Sequence, residues 1–478
     1  MWGDVTAHDV QETGTDRALP RSFVLTIAAG TVLQALNAST MAVALVDIRQ
    51  QFHAGAAASW LISGLYLATA IGSPTAGRLA DRIGARRVFT TSLVLTVLSS
   101  LLAPLAPDLG WLIALRILLG LGTCAAFPAG VAMLRAEADR RGTALPAGAL
   151  SALAIGGQVM IAFGPVVGGL LVSWQGWQSI FLINVPLGLA VGLAAWRHLP
   201  ADPPRPPTST TAVLRGLDLP GAALFTGCIA VLMLFLLSLA EQPRWWLLGP
   251  LAVLVAAFTT WELRVPDPFA DVRMLARNRP LTGTYLRTAL TYVAFYTVFY
   301  GYPMWLQNAR GLSADQAGLV VLPIALLAMA SVAVAGRVIR RRGHRPVLLV
   351  GSVALLAGGF GLTFLHSASD LVPLLGVAAL LGLPNGFNNI GNQAALYQQA
   401  DAADAGMASG LYRTSQYVGA NIAAAVIELG FAGPAADAGL HRLGTVVAVI
   451  SAVLLAGALR ERLATGRRAG GAFPTQKS

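Results

Sequence analysis

Fourteen stretches of about 20 predominantly apolar residues, the length of helix that crosses the hydrocarbon of a bilayer, run through this chain. They lie at roughly 21–45, 57–76, 87–106, 108–133, 145–172, 178–198, 217–240, 245–263, 281–305, 314–337, 346–366, 370–395, 406–430 and 441–461. A backbone in lipid has to satisfy its own hydrogen bonds, and stretches this long and evenly apolar do not alternate as barrel strands do, so they read as helices. Charge content agrees: 12% of the 478 residues are charged and 55% hydrophobic, against about a quarter charged in a soluble domain. The expected class is an all-α integral membrane bundle with 14 transmembrane helices.

A net charge of +11 would suggest nucleic acid if it formed a patch. Instead most Lys and Arg fall on the tails and on every second loop, while only Arg49, Arg244, Arg310 and Arg442 occupy the loops between. This positive-inside asymmetry puts both termini in the cytoplasm and leaves no basic patch for a nucleic-acid partner. Trp111, Trp174, Trp177, Trp245, Trp246 and Trp305 fall near the expected outer ends, where amphipathic rings favour the interface. Cys124 and Cys228 lie inside spans and read as small apolar residues. Residues 1–20 have no apolar core of the kind a cleaved signal needs, so the first span is the expected insertion signal.

The chain repeats itself. "GRLADRIGARR" (77–87) and "GRVIRRRGHRP" (336–346) share Gly77/Gly336, a following basic residue, Gly84/Gly343 and Arg86/Arg345. Both join the second and third helices of a six-helix set if spans 1–6 and 9–14 are the sets and 7 and 8 an inserted pair. The division is then a tail (1–20), an N-terminal bundle (21–198), linkers with the inserted pair (199–280), a C-terminal bundle (281–461) and a tail (462–478). Repeated halves around a midplane site are the architecture of many secondary transporters.

Local chemistry bears on the joints. Gly77 and Gly84 permit a tight turn and close helix approach, Asp81 near the start of the third helix suits its dipole, and Arg86 and Arg87 anchor the cytoplasmic face. In "GPVVGGLL" (164–171) Gly164, Gly168 and Gly169 let another helix approach closely, and Pro165 removes one helical hydrogen bond. These stretches, with "GWQSIFLINVPLG" (176–188), "VPDPFADVRMLARNRP" (265–280), "PMWLQNARGLSADQAGLVVLP" (303–323) and "GMASGLYRTSQYVGA" (406–420), resemble the major facilitator superfamily, specifically its fourteen-helix drug:proton antiporter branch, over nearly the whole chain. The resemblance implies two six-helix bundles plus two inserted helices. It also implies a cytoplasmic gate latched by Asp81 with its arginine neighbours against the segment of Arg413, a role in proton transfer for Arg116, and export rather than uptake. Two departures stand out: Arg340 replaces the acid in the second copy, and Asn37, in "LNASTMAVALVDI" (36–48), stands where the branch commonly has Asp.

Ionisable groups at membrane depth are costly, about 2.5–3.5 kcal/mol at the centre, and are functional candidates for that reason. They are Arg116, Arg287 and Arg413, of which Arg287 is expected to snorkel to the cytoplasmic surface, with Asp47 and Glu428 at the outer ends of spans 1 and 13. Arg116, Asp47 and Glu428 are the candidates for proton coupling; a water-facing Glu428 is the competing reading. Uncharged polar residues point inward as a set: Gln34, Asn37, Gln158, Asn389, Asn392 and Gln416, joined by Tyr66, Tyr292, Tyr296 and Tyr300, are expected to line an apolar, aromatic cavity that suits a bulky amphipathic ligand. Interhelical glue is the other reading of such amides.

No enzyme is indicated. A phosphate-cradling Gly-rich loop with its Lys is missing, Lys477 being the single lysine, and no His, Cys or carboxylate has metal-ligand spacing, so neither cofactor nor metal is expected. The expected function is a secondary exporter of hydrophobic drugs or antibiotics by proton antiport, working as a monomer in the lipid of a bacterial inner membrane. The alternatives are a dedicated exporter of one self-made metabolite and a non-transporting receptor of the same fold.

Overall fold

The structure, a computed structural model, describes residues 19–142, 147–202, 218–239, 242–266, 268–269, 272–400 and 405–470, with backbone alone at 461–470 and at some positions of 147–162 and 405–407. Described residues outside the turns are helical, and eleven helical stretches are long and apolar enough to cross a membrane. All fourteen expected spans are occupied by helix. They are α1 (Arg21–Gln51), α2 (Trp60–Ile83), α3 (Ala85–Leu102), α4 (Leu109–Cys124, continued as Ala126–Arg140), α5 (Ala147–Gln175), α6 (Ser179–Leu182, continued as Asn184–His198) and α7 (Leu219–Ser238). The rest are α8 (Leu248–Glu262), α9 (Arg279–Asn308), α10 (Ala314–Arg342), α11 (Arg345–Phe364), α12 (Leu371–Gln399), α13 (Ala405–Phe431) and α14 (Asp437–Gly470). Several starts are capped as their sequences imply: Asp108 accepts from Trp111 N at the head of α4, Asn278 from Leu281 N at the head of α9, and Ser313 with Gln316 closes a capping box on α10.

The packing repeats with a period of eight helices. α1 lies on α5 and α6, α2 on α4, and α3 on α4 and α6; α9 lies on α13 and α14, α10 on α12, and α11 on α12 and α14. The joint between the halves obeys the same relation, with α5 on α10 and α13 on α2. The inserted α7 and α8 pack chiefly on one another, and α7 touches α2 and α13. The α2–α3 joint is tighter than a loop. α2 runs on to Ile83 and the chain reverses at Gly84 alone, at φ 115°, and between α10 and α11 across Gly343, φ 76°, and His344, so at both joints the sequence repeat rests on a backbone that favours glycine.

Candidate functional site

The end of the bundle carrying the arginine clusters is termed the basic end, and the other the far end. At the far end the two halves are in close contact. Arg49 of α1 donates to Glu428 Oε2 of α13 at 2.5 Å, and Ser59, just before α2, donates to the same oxygen at 3.0 Å. Ser173 at the end of α5 donates to Asp315 at the start of α10 at 2.8 Å. Between them the helices touch backbone to backbone: a Cβ on Gly169 would lie 2.4 Å from Ala314 O, and one on Gly318 2.6 Å from Pro165 O. Gly164 and Gly168 face the other way, onto Ser39 and Thr40 of α1. Thus α5 is wedged between α1 and α10, and Pro165 meets α10 through its carbonyl. Gln307 adds a bond from α9 to Val43 O at 3.1 Å. Asp47 is half-buried and makes no hydrogen bond among the described residues, so of the two candidate carboxylates only Glu428 spans the joint.

Arg116 is 1% exposed and is held by carbonyl oxygens, Asn37 O at 2.7 Å and Leu61 O at 3.2 Å, with the Phe181 ring 5.7 Å away. Asn37 itself is buried and lines neither of the two spaces described below. Its side chain forms a reciprocal amide pair with Asn184 of α6, 2.8 and 2.9 Å, and also donates to Leu33 O, so every polar atom of its amide is satisfied inside the N-terminal half. This arrangement fits the interhelical-glue reading of Asn37: its buried amide is hydrogen-bonded by a second amide, which Asn184 supplies at the break in α6. Asn184 was invisible as a partner because it lies 147 residues on.

The tyrosines gather where the halves meet. Tyr300 donates to Ala38 O at 2.8 Å and its oxygen lies 3.0 Å from that of Tyr66, which makes Tyr66 the donor. Tyr296 stacks on Tyr300 and Tyr66 on Tyr417, whose hydroxyl receives Gln34 at 3.3 Å. Tyr292 continues the row. Beside this wall a narrow cleft, with about 510 Å³ of empty space when the open space at its mouth is included, lies between α5, α9, α10 and α12, lined by Ile161, Pro165, Phe295, Phe299, Met329 and Asn385 among others. A second space of about 350 Å³ shares Phe295, Phe299, Ile324 and Asn385 and is bounded by Thr291. Of the tyrosines, Tyr296 and Tyr300 therefore flank the cleft, while the Asn385 amide, one of the inward-pointing amides of α12, and the phenylalanines, which periodicity alone could not rank above other apolar positions, line it.

Other amides build the C-terminal half. Asn392 is fully buried and accepts from Arg287 Nε at 2.6 Å, and Arg287 also donates to Thr284 at 3.1 Å. Arg287 thus turns inward rather than snorkelling, because α12 offers it an acceptor at the same depth. Asn389 accepts from Tyr412, and Gln416 lies one turn further along α13 and reaches the same hydroxyl. The Gln158 side chain lies outside the described residues.

At the basic end the joint is looser. Arg413 of α13 stacks on the Phe127 ring of α4 at 3.9 Å, and Arg78 of α2 donates to Pro268 O, in the linker after α8, at 2.9 Å. Asp81 sits inside α2, exposed and without a hydrogen bond among the described residues. The anion at the head of α3 is instead Asp202, from the linker after α6, which accepts from the Arg86 and Arg87 amides at 3.0 Å each, while the Arg86 guanidinium holds Trp196 O. Gly77 is not in the turn, and a Cβ there would meet only Pro128, at 3.7 Å. On the linker side, Asp218 heads α7 and holds Trp261 Nε1 and Phe269 N, both at 2.8 Å.

Two packed half-bundles, joined tightly at one end with a closed-in apolar cleft midway, are the geometry of a carrier, and comparison with known proteins agrees. The family model of the Major Facilitator Superfamily matches residues 27–424. An uncharacterised MFS-type transporter of Bacillus subtilis, YwoD, is 32% identical over 92% of this chain and 96% of its own. The tetracenomycin C resistance and export protein of Streptomyces glaucescens is 31% identical over 86% of this chain and 76% of its own. Among solved structures, the nucleoside transporter NupG superposes with a TM-score of 0.62 at 12% identity, covering 92% of this chain and 98% of NupG, which speaks for the fold. This chain is a multi-pass transporter, not an enzyme, and belongs to the major facilitator superfamily.

Proposed function

We propose that the chain exports hydrophobic small molecules across the bacterial cytoplasmic membrane in exchange for protons, its two halves rocking about the central cleft. The basic end is then cytoplasmic by the positive-inside rule, both termini lie inside, and the far end faces out. The observation that carries the reading is the aromatic and aliphatic cleft between α5, α9, α10 and α12 beneath a joint closed on the far side. Curated relatives named for antibiotic export or resistance, to tetracenomycin C and lincomycin, favour that direction of transport.

Proton coupling is assigned to Glu428. Its carboxylate faces Arg49 across the joint, and protonation removes the charge that fixes Arg49, which frees the outward side to open. Asp47 lacks such a partner and Arg116 serves as a fixed cation tying α4 to α1 and α2. Each proton moving down 100 mV supplies about 2.3 kcal/mol, enough to bias the exchange. The test is transport by the purified chain in proteoliposomes under an imposed pH gradient. Accumulation of an apolar aromatic dye that collapses with the gradient is expected, and in Glu428→Gln the dye should only equilibrate. Accumulation indifferent to the gradient would remove proton coupling.

A further inference from the structure

The two copies of the glycine and arginine repeat meet their charge differently. At the α2–α3 joint carboxylates are at hand: Asp81 stands three residues before Gly84, and Asp202 accepts from the Arg86 and Arg87 amides. At the α10–α11 joint Arg340 takes the place of the first acid, and Pro346 takes the place of Arg87, with no N–H to offer a carboxylate. Arg337, Arg340, Arg341 and Arg342 are all exposed, and none of the four is in a salt bridge among the described residues. Arg337 donates only to the Ala333 carbonyl of its own helix.

These arginines continue a face of α10. Leu319, Leu326, Ala330 and Ala333 are exposed at steps of seven, four and three, and Arg337 and Arg340 follow at steps of four and three. All six therefore lie on one side of the helix. The opposite side is taken: Gly318 meets α5, while Ile324 and Ala328 meet Gly382 and Gly386 of α12. In a bilayer the exposed stripe faces acyl chains and its basic end lies among headgroups. The related helix of the first copy, α2, carries α7 against it instead. Positive-inside topology calls for arginines at this end of α10, but not on this face.

An apolar stripe that ends in guanidinium groups fits a molecule with hydrocarbon at one end and a phosphate at the other. We propose that the basic end of α10 is a binding site for an anionic phospholipid of the inner leaflet. An acyl chain lies along the stripe, and Arg337, Arg340 and Arg341 hold the phosphate, which supplies the negative charge that carboxylates supply at the first joint. A zwitterionic head carries its own cation and gains less. The site rests on the cytoplasmic placement of the basic end proposed above, and not on what the cleft carries.

The experiment uses the full chain purified in detergent, with bound lipid counted by native mass spectrometry as dioleoyl phosphatidylglycerol or dioleoyl phosphatidylcholine is added. Phosphatidylglycerol is expected to bind at least about tenfold more tightly, and Arg337→Gln/Arg341→Gln to remove that advantage. Arg86→Gln/Arg87→Gln, which takes the same charge from the first joint, is expected to leave most of it. Equal losses in the two variants would show diffuse attraction to a basic surface and overturn the site. Should the first variant not fold, Arg340→Gln serves in its place: a loss of about threefold is expected, and no loss overturns the site. Glycerol phosphate at the lipid's concentration is expected to leave the lipid bound; displacement would identify a site for free phosphate and overturn the lipid. Equal binding of the two lipids overturns the proposal, while the exporter reading stands or falls separately on transport.

Discussion

The two ends of the joint between the halves are built from different materials. At the far end, helices touch through glycine and carbonyl oxygen, and an arginine–glutamate pair with a serine donor bridges α1, α2 and α13. At the basic end, one long side chain lies over a ring and another reaches a linker carbonyl. Backbone contacts are stiff and short-ranged, because a gap of a fraction of an ångström forfeits much of the dispersion energy, whereas stacked arginine chains can slide. The contrast sets short-range backbone contacts at the far end against long side chains at the basic end.

Several substitutions would break or sharpen this contrast, with opening of the far end followed as the alkylation rate of a cysteine introduced at the buried Val46 by a membrane-impermeant maleimide. Gly318→Val should act most strongly. Its Cβ would meet the Pro165 carbonyl at 2.6 Å, and overpacking of about 1–3 kcal/mol should speed labelling by tenfold or more and abolish gradient-driven transport. A labelling rate equal to that of the parent would show that α5 and α10 do not form the seal.

Glu428→Gln comes next. The side chains of Arg49 and Glu428 are 16% and 9% exposed, so their loss, discounted for the exposure, is worth about 1–2 kcal/mol. Labelling should rise several-fold; a rate equal to that of the parent would show that the Arg49–Glu428 pair does not hold the far end closed. Arg413→Ala removes a cation–π contact of about 0.5–1 kcal/mol and should raise amide hydrogen exchange at the basic ends of α4 and α13 while leaving Val46Cys labelling alone; the reverse pattern would show that the ends are mechanically one unit. Smallest of all at the joint is Asn184→Ala. It strands the buried Asn37 amide at a cost of about 1–3 kcal/mol to stability, seen as a lowered melting temperature, with no change at either end.

The sequence revealed those parts of the design that depend on periodicity and composition. Span lengths and the Gly84/Gly343 repeat transfer directly to α1–α14 and their two tight turns, because membrane thickness and backbone stereochemistry constrain local sequence. The glycines of α5 were legible as close-approach positions, although which helix each one meets was not: Gly164 and Gly168 serve α1 and Gly169 serves α10. Pairings across long stretches of chain were not legible. Nothing local in "LNAST" announces Asn184, and the acid that looks poised over α3, Asp81, leaves that place to Asp202, since α2 continues about two turns beyond the expected span. The cleft is also harder to read than the polar set implies, because amides in an apolar interior satisfy one another before they face a cavity.

The bond from Asp202 to the head of α3 has a consequence for synthesis. The first turn of α3 receives its carboxylate from a residue 115 to 116 positions later in the chain, after α4, α5 and α6 have all been made. An α3 newly placed in the bilayer therefore starts with two amides uncapped, and only when α6 has been made and its trailing linker folds back are they closed. The head of α3 is in this sense closed by residues made just before α7 begins.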